Sequence, residues 1–448
     1  LASQIEVILG LGSAYADLQY GDGKSAQVEF ISANPTGPLT VGHGRGGVVG
    51  DSVSNLLAAV GYQVTREFYY NNAGQQMRRL GESLRLRYLQ ALGQSVELAE
   101  DHYHGAYLVE LGRGLYVEHG ESIVDADWEF FKTKAEDAIA GNQRDTMKIL
   151  GIQMDEFFNE YSLYDDGSVD KVVEVLRDKG FAYERDGALW FAATSLGGRD
   201  DRVIVKSGGE PTYRLPDIAY HCNKLQRGFD LVVDVLGADH KDAFPDVIRG
   251  VQAMGYDGSG IKMLMNQFVT IKGNRMSKRS GNFVTLDELL EDVGPDVVRF
   301  FMLMRAAGSH LDFDLDLARE QSEKNPVYYV QYAHARCCSV LRETKNYFDS
   351  KEISLVEIKK NDLKNLNDKN EILLIKEIVK WPKILEDSVY YHEPHRITFF
   401  LQSLASKFHS FWNYGKKDSS KRFINIDNKD LTLARLSLIY SVKIVLNN

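Results

Sequence analysis

Residues 31–47 read ISANPTGPLTVGHGRGG, and what flanks this run leaves few folds open to the chain. Before it, Gln27-Val28-Glu29-Phe30-Ile31-Ser32 alternates as a strand does. After it, Val48, Val49, Val53, Leu56, Leu57 and Val60 recur at helix spacing until Gly61 ends the pattern. A Gly-rich turn between a buried strand and a helix N-terminus gathers backbone N–H groups and the positive helix end at one place. That place suits a phosphate. The tetrad from Thr40 to His43 adds an imidazole donor, and Gly42 and Gly44 let a nucleotide approach the backbone closely. Alone, such a run is better read as a turn with one solvent-facing histidine. A second element changes that reading. Arg275-Met276-Ser277-Lys278-Arg279 follows the apolar run 267–271, in a loop freed by Gly273 and Gly281. Nucleotidyl transfer requires such a pair: one set of donors for ATP, and a separate mobile cation to meet the charge on departing pyrophosphate.

The rest of the pattern is organised around these two elements. Residues 27–70 read strand–turn–helix–strand, the first half of a parallel nucleotide-binding sheet. Residues 71–164 are mostly helical and charged, an insertion between two halves. Strands return at Leu189-Trp190-Phe191, Val203-Ile204-Val205 and Leu231-Val232-Val233-Asp234-Val235, and the second half of the sheet is expected to end at Ile271. Thr285 and Glu288 form a capping box, and Gly294-Pro295 sets off the next apolar helix. From residue 326 the chain reads as α-helical. A length of 448 residues suggests about three domains on the usual prior of roughly 150 residues each. At 44% hydrophobic and 26% charged, the chain has ample core. No apolar run approaches the ~18 residues a membrane span needs. Cys222, Cys337 and Cys338 make neither a disulfide framework nor a zinc set, which fits a reducing cytosol. The start at Leu1, with neither methionine nor signal-peptide pattern, reads as that of a fragment.

ANPTGPLTVGHGRG resembles the arginyl-tRNA synthetase version of the class I His-Ile-Gly-His motif, and RMSKRSGNF resembles that family's Lys-Met-Ser-Lys-Ser loop. The resemblance runs from about Val28 to the final residues. It implies an α/β fold: a Rossmann-like parallel-sheet catalytic domain over 25–300 with a mainly helical insertion at about 71–164. A connector at 301–325 and an all-α anticodon-binding domain at 326–448 follow, and residues 1–24 are a remnant of an N-terminal tRNA-body domain. It also implies the reaction. Arginine's carboxylate attacks the α-phosphate of Mg-ATP, and the terminal ribose hydroxyl of tRNA-Arg then takes the arginyl group from the adenylate. Arginine activation needs bound tRNA. No covalent enzyme intermediate and no protein-bound metal are involved, so the expected partners are ATP with Mg2+, arginine and tRNA-Arg. The protein is expected to be cytoplasmic, monomeric and unattached to membrane.

Site residues carry over position by position. His43, Gly42 and Gly44 are implied on ATP, with Thr40 standing where the family's first histidine stands. Lys278, supported by Arg275 and Arg279, meets the leaving phosphates, and Met276 and Ser277 complete the loop. Leu236-Gly237-Ala238-Asp239-His240 resembles the class I Gly-x-Asp element, which puts Gly237 and Asp239 on the ATP ribose. A guanidinium presents five donors in a fixed fork, so its pocket should supply carboxylates and other acceptors. Glu29 and Asn34 match residues that hold the backbone groups of arginine, and Tyr213 and Asp217 match those that hold its side chain. His240, often glutamine in the family, joins the arginine contacts. Because hydrogen-bond recognition of a polar side chain rejects analogues by about 10⁴–10⁵, no editing activity is expected.

The charge balance pulls two ways for an RNA partner. The chain is −10 overall, yet residues 351–448 hold 17 Lys+Arg against 12 Asp+Glu, and only Gly415 of the 38 glycines lies beyond residue 350. That shift marks a change from Gly-punctuated α/β to helix, with Tyr328, Tyr329, Phe408, Trp412 and Tyr414 as candidates for stacking on anticodon bases. Rival readings are weaker. A cysteinyl-tRNA synthetase needs a Cys/His zinc site, and a T-x-G-H adenylyltransferase would lack the C-terminal helices. A decayed RNA-binding relative would not keep His43, Lys278, Asp217 and Glu29 together.

Overall fold

The computed structural model describes residues 2–271, 274–275, 285–344 and 363–447. Five parallel strands form its central sheet: β1 (Ser25–Glu29), β2 (Gln63–Tyr70), β3 (Glu156–Asn159), β4 (Leu231–Gly237) and β5 (Ile261–Asn266). Their order is β3-β2-β1-β4-β5. Val28 of β1 sits opposite Arg66 of β2 and Val233 of β4. Helices cover both faces, so β4 reads as a near-continuous apolar run with Val232, Val233 and Val235 buried. Chain order reverses beside β1, which opens a crevice at the carboxyl ends of β1 and β4.

Helix α1 (Val41–Ala59) leaves that crevice and runs back through the core. Its glycines let it lie almost on the sheet: a Cβ on Gly50 would stand 2.3 Å from Phe30 Cγ. Between β2 and β3 come α2 (Gly74–Ala91), α3 (Ala106–His119) and α4 (Trp128–Ile149), which bury Leu80, Leu84, Tyr88, Leu108 and Phe131 in a core of their own.

Two strand expectations need correction. The strands Ala188–Phe191 and Arg202–Val205 do not join the parallel sheet; with Ala182–Arg185 they form a separate antiparallel one. The reason is local. Asp186 and Gly187 both have positive φ (52° and 73°), a two-residue turn that folds the chain straight back. Nor does the main sheet reach Ile271. It ends at Asn266, and β6 (Val269–Ile271) pairs with β7 (Asn274–Arg275) and β8 (Leu311–Phe313) instead. The buried Arg45 guanidinium donates to Gln267 O (3.0 Å) and Ala306 O (2.9 Å), anchoring the chain where the two sheets part. Helix α5 (Arg214–Gln226) packs against the antiparallel sheet and β4. Helix α6 (Leu286–Val293) opens with the expected capping box, Glu288 N to Thr285 Oγ1 at 3.1 Å and Thr285 N to Glu288 Oε2 at 2.7 Å.

The C-terminal part is helical: α7 (Pro326–Glu343), α8 (Lys369–Ile378), α9 (Trp381–Tyr390), α10 (His395–Lys417) and α11 (Lys429–Asn447). The helix Ala2–Leu11 packs into this unit, burying Ile5, Ile8 and Leu9 on one helical face beside α8 and α11. In the other direction, Leu385 and Val389 of α9 are buried in the catalytic core, where α9 meets α1. Among the described residues no helix is long and apolar enough to cross a membrane.

Candidate active site

Thr40 caps α1. Its Oγ1 accepts from His43 N (3.2 Å), and its own N–H donates to His43 Nδ1 (3.1 Å). An Nδ1 that accepts a backbone proton leaves the ring proton on Nε2. The Thr40 hydroxyl, at the position of the family's first histidine, is engaged in the cap. Gly44 is also engaged: its N–H bonds Thr40 O at 2.9 Å, and a Cβ there would meet Leu286 Cδ1 at 2.6 Å. Its missing side chain therefore serves α1–α6 packing. Gly42 lies at the helix mouth, half-buried, with its carbonyl near Asn266 Nδ2 (3.4 Å).

The turn after β1 is strained. Ile31 and Ser32 are consecutive residues at positive φ (68° and 45°), and for a β-branched residue that is a genuine outlier. It aims the Ser32 hydroxyl at Glu29 Oε1 (2.8 Å) while Tyr69 N donates to it (3.2 Å). Glu29 is only 4% exposed, and its Oε2 accepts from Lys224 Nζ at 2.5 Å. Lys224, fully buried, also reaches Asp234 Oδ1 at 2.5 Å. Glu29 thus lies beneath the crevice, paired to protein.

Two other carboxyls, Glu160 and Asp217, lie close enough to Glu29 and to each other to feel one another's charge. Glu160, just past β3, accepts from Tyr69 Oη (2.9 Å) and Asn71 Nδ2 (2.8 Å). Asn71 N in turn donates to Asn34 Oδ1 (2.8 Å), and Asn34 Nδ2 donates to Gln76 (3.2 Å). Burial raises the Glu160 carboxyl despite the hydrogen bonds from Tyr69 and Asn71. Asp217, in the first turn of α5, is pushed up to about 6 by burial, with Glu29 and Glu160 adding to the shift and His221 and His240 opposing it. Among the described residues, no cation forms a salt bridge with Asp217 or Glu160. Two neighbouring carboxyls, both raised, mark a place that is short of positive charge.

The remaining expected residues lie at the rim or beyond it. Tyr213 stands one turn before Asp217 and is 85% exposed. Gly237, Asp239 and His240 close β4 at the crevice edge, with Asp239 and His240 exposed. Arg275 is described only through its backbone pairing with Thr270 in β6. Met276, Ser277, Lys278 and Arg279 lie outside the described residues. Of the proposed stacking aromatics, Phe408 is buried and only Tyr414 is exposed.

The sequence reading missed Glu160, Lys224, His221 and Asp234. A signal existed for three of them. Asp217, His221 and Lys224 fall at i, i+4 and i+7 on one helical face, and Asp234 interrupts an otherwise apolar strand. Glu160 follows a short edge strand and has no such mark.

A family model described as the class I (R) tRNA synthetase catalytic domain matches residues 4–299, and one described as a DALR anticodon binding domain matches residues 330–448. The arginine–tRNA ligase of Desulfotalea psychrophila is 46% identical over 98% of this chain and 79% of its own length. That of Salinibacter ruber is 45% identical over 98% and 80%. A solved Campylobacter jejuni structure described as an arginyl-tRNA synthetase superposes with a TM-score of 0.87 at 28% identity, covering 100% of this chain and 98% of that one. The Thermus thermophilus arginyl-tRNA synthetase, 20% identical with a TM-score of 0.76 over 99% of this chain and 83% of that one, shares the fold.

Proposed function

This chain belongs to the arginine–tRNA ligase family of class I synthetases, and from that premise we propose how its residues divide the work. The reaction itself joins arginine to ATP as arginyl-adenylate with loss of pyrophosphate, then passes the arginyl group to the 3′-terminal ribose of tRNA-Arg with release of AMP.

Asp217 and Glu160 receive the guanidinium. What carries this is the closeness of two largely buried carboxyls that no described cation pairs, which a five-donor planar cation would neutralise and satisfy at once. Tyr213 closes over the side chain from the rim, and Asn34, fixed by Asn71 and Gln76, meets the α-groups of arginine. His240 borders the same pocket. Glu29 acts from beneath, by holding Ser32 and Lys224. On the nucleotide side, His43 donates from Nε2, the Gly42 backbone lies against the phosphates, and Gly237 and Asp239 take the ribose hydroxyls. Thr40 sets the imidazole, and Gly44 keeps α1 on α6. Lys278, with Arg275 and Arg279 and the loop residues Met276 and Ser277, offsets the charge on departing pyrophosphate. Mg2+ arrives with ATP as part of the substrate. The helical unit from α7 onward reads the anticodon region of the tRNA, with Tyr414 the stacking aromatic. A cytoplasmic monomer fits these parts.

The test is ATP–pyrophosphate exchange with each amino acid, with and without tRNA. Arginine alone should support exchange, and only with tRNA present. Glu160→Gln should raise the KM for arginine by about 10- to 100-fold, the worth of a charge-assisted hydrogen bond. Exchange with another amino acid, or an unchanged KM in that variant, would overturn the pocket assignment.

A further inference from the structure

Beneath the guanidinium subsite lies a buried group that the reaction does not touch. His221, on α5 one turn after Asp217, is 5% exposed. Its Nδ1 lies 2.7 Å from the Asp217 main-chain oxygen, and its Nε2 lies 3.0 Å from Asp234 Oδ2 on β4. Both partners are acceptors. A carbonyl oxygen carries no proton. The Asp234 carboxyl would be raised by burial, but the Lys224 ammonium and His221 outweigh that and hold it well below the usual carboxylate range. A neutral imidazole has one N–H and one lone pair, so it would turn that lone pair on an oxygen at one end or the other. Only the imidazolium satisfies both contacts.

The charges then close. Lys224 binds Glu29 Oε2 and Asp234 Oδ1, His221 binds Asp234 Oδ2, and the four groups sum to two positive and two negative. Beside them, Glu67 of β2 is held by Arg227 at 2.6 Å, which it shares with Glu156 at 2.9 Å, and by the Tyr220 hydroxyl at 2.5 Å, with the Lys224 charge adding to the pull on its carboxylate. The rings of Tyr220 and Phe244 flank the imidazole edge-on, at 5.7 and 5.8 Å between centroids. Among the described residues, Asp217 is a carboxyl within reach of the His221 charge that forms no salt bridge.

We propose that His221 is a permanently protonated positioning residue, which ties the Asp217 backbone to β4 and keeps the Asp217 carboxylate ionised for the arginine guanidinium. The proposal rests on the reading of Asp217 as a guanidinium ligand. Two effects follow from one ring. The Nδ1–H bond fixes the first turn of α5 against the sheet, so the Asp217 carboxylate keeps its distance from Glu160. The positive charge favours the ionised form of Asp217, in opposition to burial and to the neighbouring carboxyls.

The experiment has three parts on the full chain with tRNA. In ¹⁵N-histidine-labelled wild type, the His221 signals, assigned by their loss in His221→Asn, should show both ring nitrogens protonated at pH 8. A neutral tautomer there would overturn the proposal, and this arm stands even if the variant folds poorly. In His221→Asn, the KM for arginine should rise about tenfold or more. The acid limb of kcat/KM for arginine should move up by about one pH unit, while the KM for ATP holds. An unmoved acid limb, or equal losses for arginine and ATP, would mean a structural role only and would sink it. Asp217→Asn separates the two levels. If it leaves the KM for arginine unchanged, the subsite reading itself falls; if it raises that KM while His221→Asn does not, only the present proposal falls.

Discussion

Asp217 carries two opposed costs, and its pH behaviour follows from them. In the free protein its carboxyl is raised to about 6, so the folded state holds that proton more tightly than the unfolded chain does. A raised folded value contributes stability that is fully present below the unfolded value and is lost as pH rises through about 6. At pH 7.5 the arginine-free fold therefore carries an unfavourable ionised group, and the guanidinium proposed to bind there would reverse the sign. We expect kcat/KM for arginine to fall as pH drops through about 6, approaching tenfold per unit below it. Asp217→Asn should abolish that limb, and at pH 7.5 should raise the unfolding free energy of the arginine-free protein by about 1–3 kcal/mol. A variant less stable than wild type at that pH would show that the carboxyl is held by a cation. The residues of this pocket were unevenly legible. Asp217 and Asn34 were visible in short motifs, while Glu160 was not, because a carboxylate after an edge strand looks like surface until the fold brings it to the crevice. Glu29 was visible by its position at the end of the first strand, but only the folded chain brings Lys224 against it from 195 residues away.

At the scale of elements, α1 shows how one stretch of sequence answers to two demands. Its glycines look like phosphate contacts when read along the chain. In the fold, Gly50 and Gly44 face Phe30 and Leu286, and their missing side chains let a central helix lie on the sheet and under α6. The expected consequence is a pair of helix substitutions with opposite signs. Gly50→Ala would push a methyl to 2.3 Å from Phe30 Cγ, an overpacked contact that should cost about 1–3 kcal/mol. Gly114→Ala, at an exposed site within α3 with nothing inside 4 Å of the added carbon, should instead stabilise by about 0.5–1 kcal/mol. Urea midpoints would check both, and equal effects would mean that helix propensity rather than clearance governs α1. The strand–turn–helix at 25–59 was legible because its two hydrophobic periods meet at a glycine-rich turn. The antiparallel hairpin could have been read from Asp186-Gly187, a turn dipeptide between two apolar runs. The end of the main sheet at Asn266 had no such mark, since it is set by an arginine 221 positions earlier.

The whole molecule is tied together by two exchanges of core that composition could not reveal. Along the sequence, glycine disappears after residue 350 apart from Gly415, and positive charge accumulates, so the two halves look independent. In space, α9 gives Leu385 and Val389 to the catalytic core, Thr398 Oγ1 donates to Leu303 O at 3.0 Å, and the helix Ala2–Leu11 gives Ile5, Ile8 and Leu9 to the helical unit. The helical unit is therefore closed by a segment more than 300 residues away in sequence. Its apolar spacing at 5, 8 and 9 was present in the chain but too short to outweigh its place at the end. This arrangement separates the effects of a core lesion. Ile8 is fully buried against α8 and α11, far in the fold from Asp217, His43 and the crevice. A charge placed there by Ile8→Asp has no partner in that core and should cost several kcal/mol locally. The helical unit would loosen while the sheet, α1 and the quartet under Asp217 stay packed. The KM for tRNA should then rise by about an order of magnitude or more, while the KM values for ATP and arginine, measured at saturating tRNA, hold within about twofold. If all three rise together, the two units share one cooperative core through α9, and the contact between Leu385 and α1 is a structural keystone rather than a seam.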